Sequence, residues 1–209
     1  YDSYKVPLNK SDLMTFKTEM SLFNHQGQRK YLNQKERIDF YKATEVLPLE
    51  RKLFCLLLYY TGARISEISQ MKAKQLDFID KTVVLKTLKR RRPNIYRQIP
   101  LPDHLLGSLL AFIDHRLKQG ENLQGRFWTF STRTASRFVK TVMISAGING
   151  PQASAKGLRH GFAIFASSKV PVNQVQKWMG HADLRTTDIY LHVSGKEERE
   201  LAERLWVEE

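Results

Sequence analysis

Two neighbouring stretches hold the side chains most capable of chemistry: Lys156-Gly-Leu-Arg159-His160, and Met179-Gly-His181 followed by Thr186-Thr-Asp-Ile-Tyr190. In the first, Lys156 shares a helix face with Arg159 and His160 at i, i+3/i+4. Like charges so placed repel by roughly a few tenths of a kcal/mol unless an anion sits among them. A helix N-terminus nearby favours the same anion. The second stretch ends in a phenol nine residues after a histidine. A phenol of ordinary pKa, about 10, is a poor nucleophile at neutral pH, and surrounding cations favour its anion. Cationic clamps, a phenol and no visible metal-ligand pattern suit attack of a tyrosine on a phosphodiester.

Further cations stand at the ends of other elements. Arg64 follows Thr61-Gly-Ala directly after the most apolar run of the chain. A charge so close to a core needs a partner or an anion. Lys86, Lys89, Arg90, Arg91 and Arg92 surround the tip of a hairpin. They suit tracking a DNA backbone, with one lysine protonating a leaving alkoxide. Each residue alone has a plainer reading. Tyr190 could be a core tyrosine, His181 a structural turn residue, Arg64 a surface arginine, and the hairpin cations edge protection.

The elements that must position these groups are mostly helices. Asn33 caps a helix to about Thr44, with Glu36 closing a capping box. Pro48 opens the apolar helix Leu49–Tyr60, which Gly62 ends. A helix over Arg64–Met71 turns Ile65, Ile68 and Met71 inward. The β-branched run Thr82–Leu88 and its return Ile95–Leu101 predict an antiparallel hairpin. Helices are predicted over Asp103–Gln119, Ser131–Ala146, Ala155–Lys169, Val172–Met179 and Thr186–His192. Another is predicted over Asp12–Phe23, then a polar linker Asn24–Lys30, and a terminal helix over Gly195–Trp206. The fold class expected is α+β, mostly α-helical, with a small antiparallel β-sheet.

Composition narrows the partner. Among 209 residues, 34 Lys+Arg against 21 Asp+Glu give a net charge of +13, which favours a polyanion, nucleic acid first. The single cysteine, Cys55, lies in an apolar run and excludes a disulfide framework or thiolate zinc site. No apolar run reaches membrane-spanning length and no signal-peptide pattern opens the chain. The expected setting is cytoplasmic.

Taken in order, Thr61-Gly-Ala-Arg64-Ile-Ser-Glu67, a hairpin lysine, Lys156-x-Leu-Arg159-His160, Met179-Gly-His181 and Thr186-Thr-Asp-Ile-Tyr190 resemble the tyrosine recombinases, or phage-type integrases. The resemblance covers about residues 30 to 206. It implies that fold's catalytic domain over 30–209, with 1–29 as an N-terminal segment or linker and possible remnant of a core-binding domain. Either the chain is a catalytic fragment or it is a small, one-domain member.

The resemblance also implies roles. Arg64 and Arg159 clamp the scissile phosphate, and Tyr190 forms a 3′-phosphotyrosyl link. His181 contacts the phosphate or positions the tyrosine, His160 has a supporting, proton-managing role, and Glu67 orients Arg64. Lys156 stands where the family usually has histidine, a variant that puts a neutral general base at that place in doubt. Lys89 is the first choice for the hairpin general acid and Lys86 the second. Lys86, Arg90, Arg91 and Arg92 would contact DNA. No metal, ATP or other cofactor is implied. The partners implied are double-stranded DNA and other copies of the chain, as a tetramer on DNA. The terminal helix, with Leu201, Leu205 and Trp206 on its apolar side, would dock in trans or in cis.

The function implied is a site-specific DNA recombinase of integrase or resolvase type, of the kind found on mobile genetic elements. A type IB topoisomerase-like enzyme and a catalytically silent DNA-binding regulator on the same fold are the alternatives; a helix-turn-helix repressor would explain the charge but not the arginines and tyrosine. A final expectation is that Tyr190 sits away from its site when DNA is absent.

Overall fold

The computed structural model describes residues 22–87, 95–181 and 185–190. Among these residues eight α-helices and three strands run α1 (Gln34–Ala43), α2 (Leu49–Thr61), α3 (Ile65–Ser69), β1 (Leu76–Asp77), β2 (Thr82–Lys86), β3 (Tyr96–Pro100), α4 (Asp103–Lys118), α5 (Thr132–Ser145), α6 (Ala155–Ser167), α7 (Val172–Met179) and α8 (Arg185–Asp188). The expected α+β class, mostly helical, is therefore what the described residues form. None of their helices is long and apolar enough to cross a membrane.

Local signals explain most boundaries. At α1 the Asn33 side chain accepts from the Glu36 N–H at 2.8 Å while the Glu36 carboxylate accepts from the Asn33 N–H at 3.0 Å. Gly62 ends α2 with φ +58, and Gly180 ends α7 with φ +65, the left-handed conformation that costs a side chain least when absent. Ser131 and Ser154 cap α5 and α6 by accepting N–H bonds.

Helix α2 is the centre of the core. Leu53 to Leu58 are all buried, Cys55 among them. The Phe54 ring meets Trp128, Phe130 and Phe138 edge to face at centroid distances of 5.2, 5.2 and 5.5 Å. Fully burying each such ring contributes about 2 to 3 kcal/mol. The sheet is antiparallel in the order β1-β2-β3, with Leu85 opposite Arg97 and Lys86 opposite Tyr96. It packs one face on this core through Val83, Leu85 and Ile99. A second, smaller cluster joins Phe162, Ala163 and Ala166 of α6 to Val175 and Met179 of α7, and it includes Tyr190.

Several elements differ from expectation. Helix α3 covers only Ile65–Ser69, with Arg64 at its N-cap. Ile68 and Met71 are buried as expected. Residues 24–30 are a tight turn rather than a linker: Phe23 and Arg29 form an antiparallel bridge and Gly27 takes φ +74. Phe23 therefore does not end a helix, and residues 12–21 of that expected element lie outside the described residues. The two-residue strand β1 was not expected, being too short to leave a periodic pattern. The terminal helix with Leu201, Leu205 and Trp206, and the hairpin tip with Lys89, Arg90, Arg91 and Arg92, also lie outside the described residues.

Candidate active site

Arg64, Lys156, Arg159, His160, His181 and Tyr190 share the walls of one open cleft of about 320 Å³. They come from three places: the start of α3, the first turns of α6, and the segment after α7.

Helix α6 reaches the cleft because it carries two glycines. A Cβ at Gly157 would lie 1.9 Å from the Gln152 carbonyl oxygen, and one at Gly161 would lie 2.4 Å from the Leu32 carbonyl oxygen. Without them the helix could not press against the loop before it or the strap of residues 29–33. That strap is tied down by the Leu32 N–H donating to the Gly157 carbonyl at 3.1 Å. Arg29 grips Glu36 through both carboxylate oxygens at 2.5 and 2.6 Å, and Gln152 donates to the same Glu36. Arg159 and His160 stand between the two glycines and are fixed by this close approach.

Arg159 is buried. Its Nη1 donates to the Gly62 carbonyl and its Nη2 to the Met179 carbonyl, each at 2.7 Å, and Nη2 also donates to His181 Nε2 at 3.1 Å. Both carbonyls belong to helix C-termini, which lack intrahelical donors and carry partial negative charge. The guanidinium is thus held by neutral acceptors, and its charge is left for an anion. Burial first, then the like charge of Arg64, draws its pKa down to about 9, which leaves it cationic at neutral pH.

Arg64 lies at the N-cap of α3 and is partly exposed to the cleft. Its N–H donates to Glu67 Oε2 at 2.9 Å and its Nη1 to Oε1 at 3.1 Å. Glu67 is buried and also binds Arg97, whose Nη2 meets Oε2 at 2.5 Å. Burial alone would raise the Glu67 pKa, but the hydrogen bonds and charge of Arg97, then the Arg64 N–H, hold it below the usual carboxylate value. Glu67 thus orients Arg64 while Arg97 neutralises the carboxylate from behind. Arg97 further donates to the Trp178 carbonyl at 2.7 Å and to Thr87 Oγ1 at 3.0 Å.

Tyr190 is 1% exposed. Its ring belongs to the smaller apolar cluster, and its hydroxyl lies 2.9 Å from His160 Nδ1. Burial raises the phenol pKa to about 12, against the opposing pull of Arg159 and Arg64. The expectation placed Tyr190 away from the site; here its ring is docked, filling an apolar slot between α6 and α7 with its hydroxyl hydrogen-bonded to His160.

His181 is buried as well, stacked near Tyr190 at a centroid distance of 6.1 Å. Arginine only donates, so His181 Nε2 accepts from Arg159 and its Nδ1–H donates to Thr187 Oγ1 at 2.9 Å. Burial, then Arg159 and Arg64, lowers its pKa to about 3. His160 is held at about 3 by burial, then by Lys156, Arg159 and Lys30. Both imidazoles are neutral at pH 7.

Lys156 is exposed at the cleft wall. Lys86, the hairpin lysine among the described residues, is exposed at the end of β2. It lines a second depression, which Glu67 also borders, together with Lys72, Lys74 and Tyr96.

Sequence reasoning missed Arg97, Lys30, Thr187 and the two glycines of α6. Arg97 alternates with Ile99 on the inward face of β3, so its parity in the strand was a usable signal. Two glycines four apart inside a helix, each costing about 1 kcal/mol against alanine, were another. Lys30 and Thr187 left no periodic mark.

Residues 30–197 match the model of the phage integrase family. The tyrosine recombinase XerA of Pyrococcus furiosus is 31% identical over 179 residues, covering 78% of this chain and 58% of the relative. A tyrosine recombinase of Thermosipho africanus is 30% identical, covering 75% and 54%. The chain thus spans somewhat over half the length of these relatives. Among solved structures, XerA recombinase superposes with a TM-score of 0.70 at 22% identity over 86% of this chain and 66% of that one. XerH recombinase in a post-cleavage complex with a palindromic difH substrate gives 0.71 at 21% identity over 95% and 65%.

Proposed function

This chain belongs to the phage integrase family, and on that premise we propose that it is the catalytic part of a site-specific DNA recombinase acting through Tyr190. The Tyr190 oxygen attacks a backbone phosphorus, a 3′-phosphotyrosyl bond forms and the bond to the 5′-oxygen breaks. A partner strand's 5′-hydroxyl then reverses the step. Phosphodiester energy is kept throughout, so neither ATP nor a metal is called for. Arg64 and Arg159 clamp the non-bridging oxygens, where bidentate guanidinium contacts suit the developing charge. Removing one such preorganised donor costs about 3 to 4 kcal/mol of transition-state stabilisation. Lys156 adds charge at the cleft wall, and His181 positions Arg159. Lys89, or else Lys86, protonates the 5′-oxygen. Arg90, Arg91, Arg92 and Lys86 contact the DNA backbone.

What carries this reading is the convergence of Arg64, Arg159 and Tyr190 on one cleft. The partners proposed are double-stranded DNA and further copies of the chain, as in the λ integrase tetramer solved on a Holliday junction, with the segment around Leu201, Leu205 and Trp206 docking between copies. The setting proposed is the cytoplasm of a prokaryotic cell. Covalent trapping tests the reading. Nicked duplexes tiled from the DNA around the protein's own gene are mixed with wild type and with Tyr190→Phe. A protease-sensitive shifted band formed by wild type alone supports it; salt-sensitive binding by both without a band favours a silent DNA-binding protein.

A further inference from the structure

We propose that His160 is the base that takes the phenolic proton from Tyr190 as the tyrosine attacks, an inference that rests on the covalent reading above. The Tyr190 hydroxyl is buried and its hydrogen-bond partner among the described residues is His160 Nδ1, at 2.9 Å. A neutral imidazole could accept from the phenol there or donate to it. Counting unpaired groups decides between the two. Of the other polar side chains of the cleft, Arg64, Arg159 and Lys156 carry donors only, the His181 Nε2 lone pair is taken by Arg159, and the hydroxyls of Ser66 and Thr186 are not among the phenol's partners in the described residues. If His160 donated, the phenol's own proton would have no acceptor. His160 Nε2, which is buried with no partner among the described residues, would add a second orphan as a bare lone pair. If His160 accepts, Nε2–H is the one group left unpaired. Each buried orphan is costly, so the accepting arrangement is favoured.

His181 cannot take the role, because its Nε2 lone pair is occupied by Arg159 and its Nδ1 already carries the proton donated to Thr187. The two histidines of the site are therefore opposite tautomers: Nδ1–H at His181 and Nε2–H at His160. The step balances as follows. The Oη–H bond breaks with its proton passing to His160 Nδ1, the Oη–P bond forms, and the P–O5′ bond breaks with O5′ taking a proton from the hairpin lysine. On rejoining, His160 returns the proton to Tyr190.

The fields around His160 make this step depend on the substrate. Lys156 and Arg159 face it from its own helix, Lys30 from the strap of residues 29–33, and Tyr190 and His181 from the far side. With burial, the three cations keep the imidazole neutral at pH 7 in the free protein, so it does not deprotonate the phenol before DNA arrives. A phosphodiester brings negative charge among Lys156, Arg159 and Arg64 and offsets the charges that oppose an imidazolium.

Long-range ¹H–¹⁵N NMR of the free 209-residue protein tests the tautomer first, with signals assigned by their loss in His160→Asn and His181→Asn. An unprotonated Nδ1 at His160 beside a protonated Nδ1 at His181 supports the proposal; a proton on His160 Nδ1 overturns it. The second test is single-turnover cleavage of the trapped duplex carrying a 5′-bridging phosphorothiolate, whose leaving group needs no acid. Asparagine keeps an acceptor near the Nδ1 position without its basicity. His160→Asn is expected to keep its Tm and cleave about 100-fold more slowly at pH 7. The deficit should narrow as pH rises, and 3,5-difluorotyrosine at position 190 should recover most of it. A wild-type rate in His160→Asn, or a loss that neither pH nor fluorination changes, overturns the base assignment while leaving the covalent reading intact. A wild type that forms no Tyr190-dependent adduct overturns both.

Discussion

Replacing Arg97 with alanine removes the groups that support the cleft from behind. The side chain donates to the Trp178 carbonyl, to Thr87 Oγ1 and to both oxygens of Glu67. The Glu67 side chain is wholly buried and the Arg97 side chain is 4% exposed, so solvent screens little of the interaction. Breaking a buried ion pair from one side costs about 3 to 5 kcal/mol, because the other charge is left behind. Glu67 keeps the Arg64 N–H and Nη1, which places the expected loss near about 3 kcal/mol. For a domain of this size that lowers Tm by about 6 to 12 °C. The pH dependence gives a sharper signature. In wild type the Glu67 pKa is depressed, so its stabilisation is present above the unfolded value of about 4.3 and is lost only as pH falls below it. Without Arg97, burial dominates and the folded pKa rises. The variant then loses stability as pH climbs through that raised value, so its deficit is largest near pH 7.5 and narrows toward pH 5. Calorimetric melts of both proteins across that window measure it. A fall in Tm under about 3 °C, or a deficit constant across the window, refutes the assignment of Arg97 as the counter-ion of Glu67.

Gly157→Ala puts a methyl 1.9 Å from a backbone oxygen, and is expected to cost about 1 to 3 kcal/mol by overpacking and to displace Arg159; urea unfolding with a parallel DNA-cleavage assay reads both. Gly62→Ala combines φ +58 with a Cβ 2.2 Å from the Phe162 ring, and should destabilise by at least about 2 kcal/mol in the same assay. His160 and His181, both held near pKa 3, resist protonation in the folded state but take a proton at about 6.5 once unfolded. Stability is therefore full above about pH 6.5 and falls below it, by about 2 kcal/mol per histidine at pH 5. Urea unfolding at pH 7.5 and 5 should show this slope, with each His→Asn variant losing its share. Trp128→Phe removes the indole N–H donated to the Ile68 carbonyl at 2.7 Å, and should cost about 1 to 3 kcal/mol in thermal melts by leaving that buried carbonyl unpaired.

How far the sequence speaks for this molecule differs by element. Helices with a cap at one end and a stop at the other, such as α1 with Asn33 and Glu36 or α7 with Gly180, were legible because their signals are local. The cations and the phenol of the cleft were legible because their types and order form a pattern. The partners of those groups were not. Arg159 is held by carbonyls of Gly62 and Met179, 97 and 20 residues away, and backbone carbonyls carry no residue identity to read. Arg97 looks like one more cation of a basic hairpin until strand pairing sets it opposite Leu85 and turns it inward. The docked position of Tyr190 depends on an apolar slot between two helices, which exists only once they pack. Gly157 and Gly161 could be seen in the sequence, but only the approach of Gln152 and Leu32 explains them.

The central claim is that the Tyr190 oxygen becomes covalently linked to a DNA 3′-phosphate. Adducts trapped on nicked duplexes should be digested with nuclease and trypsin and analysed by mass spectrometry. The account predicts that the peptide spanning residues 186–196 carries a 3′-linked nucleotide on Tyr190. It also predicts that the adduct is absent from Tyr190→Phe and sharply reduced in Arg159→Ala. An adduct on another residue, or efficient strand cleavage by Tyr190→Phe, would contradict it.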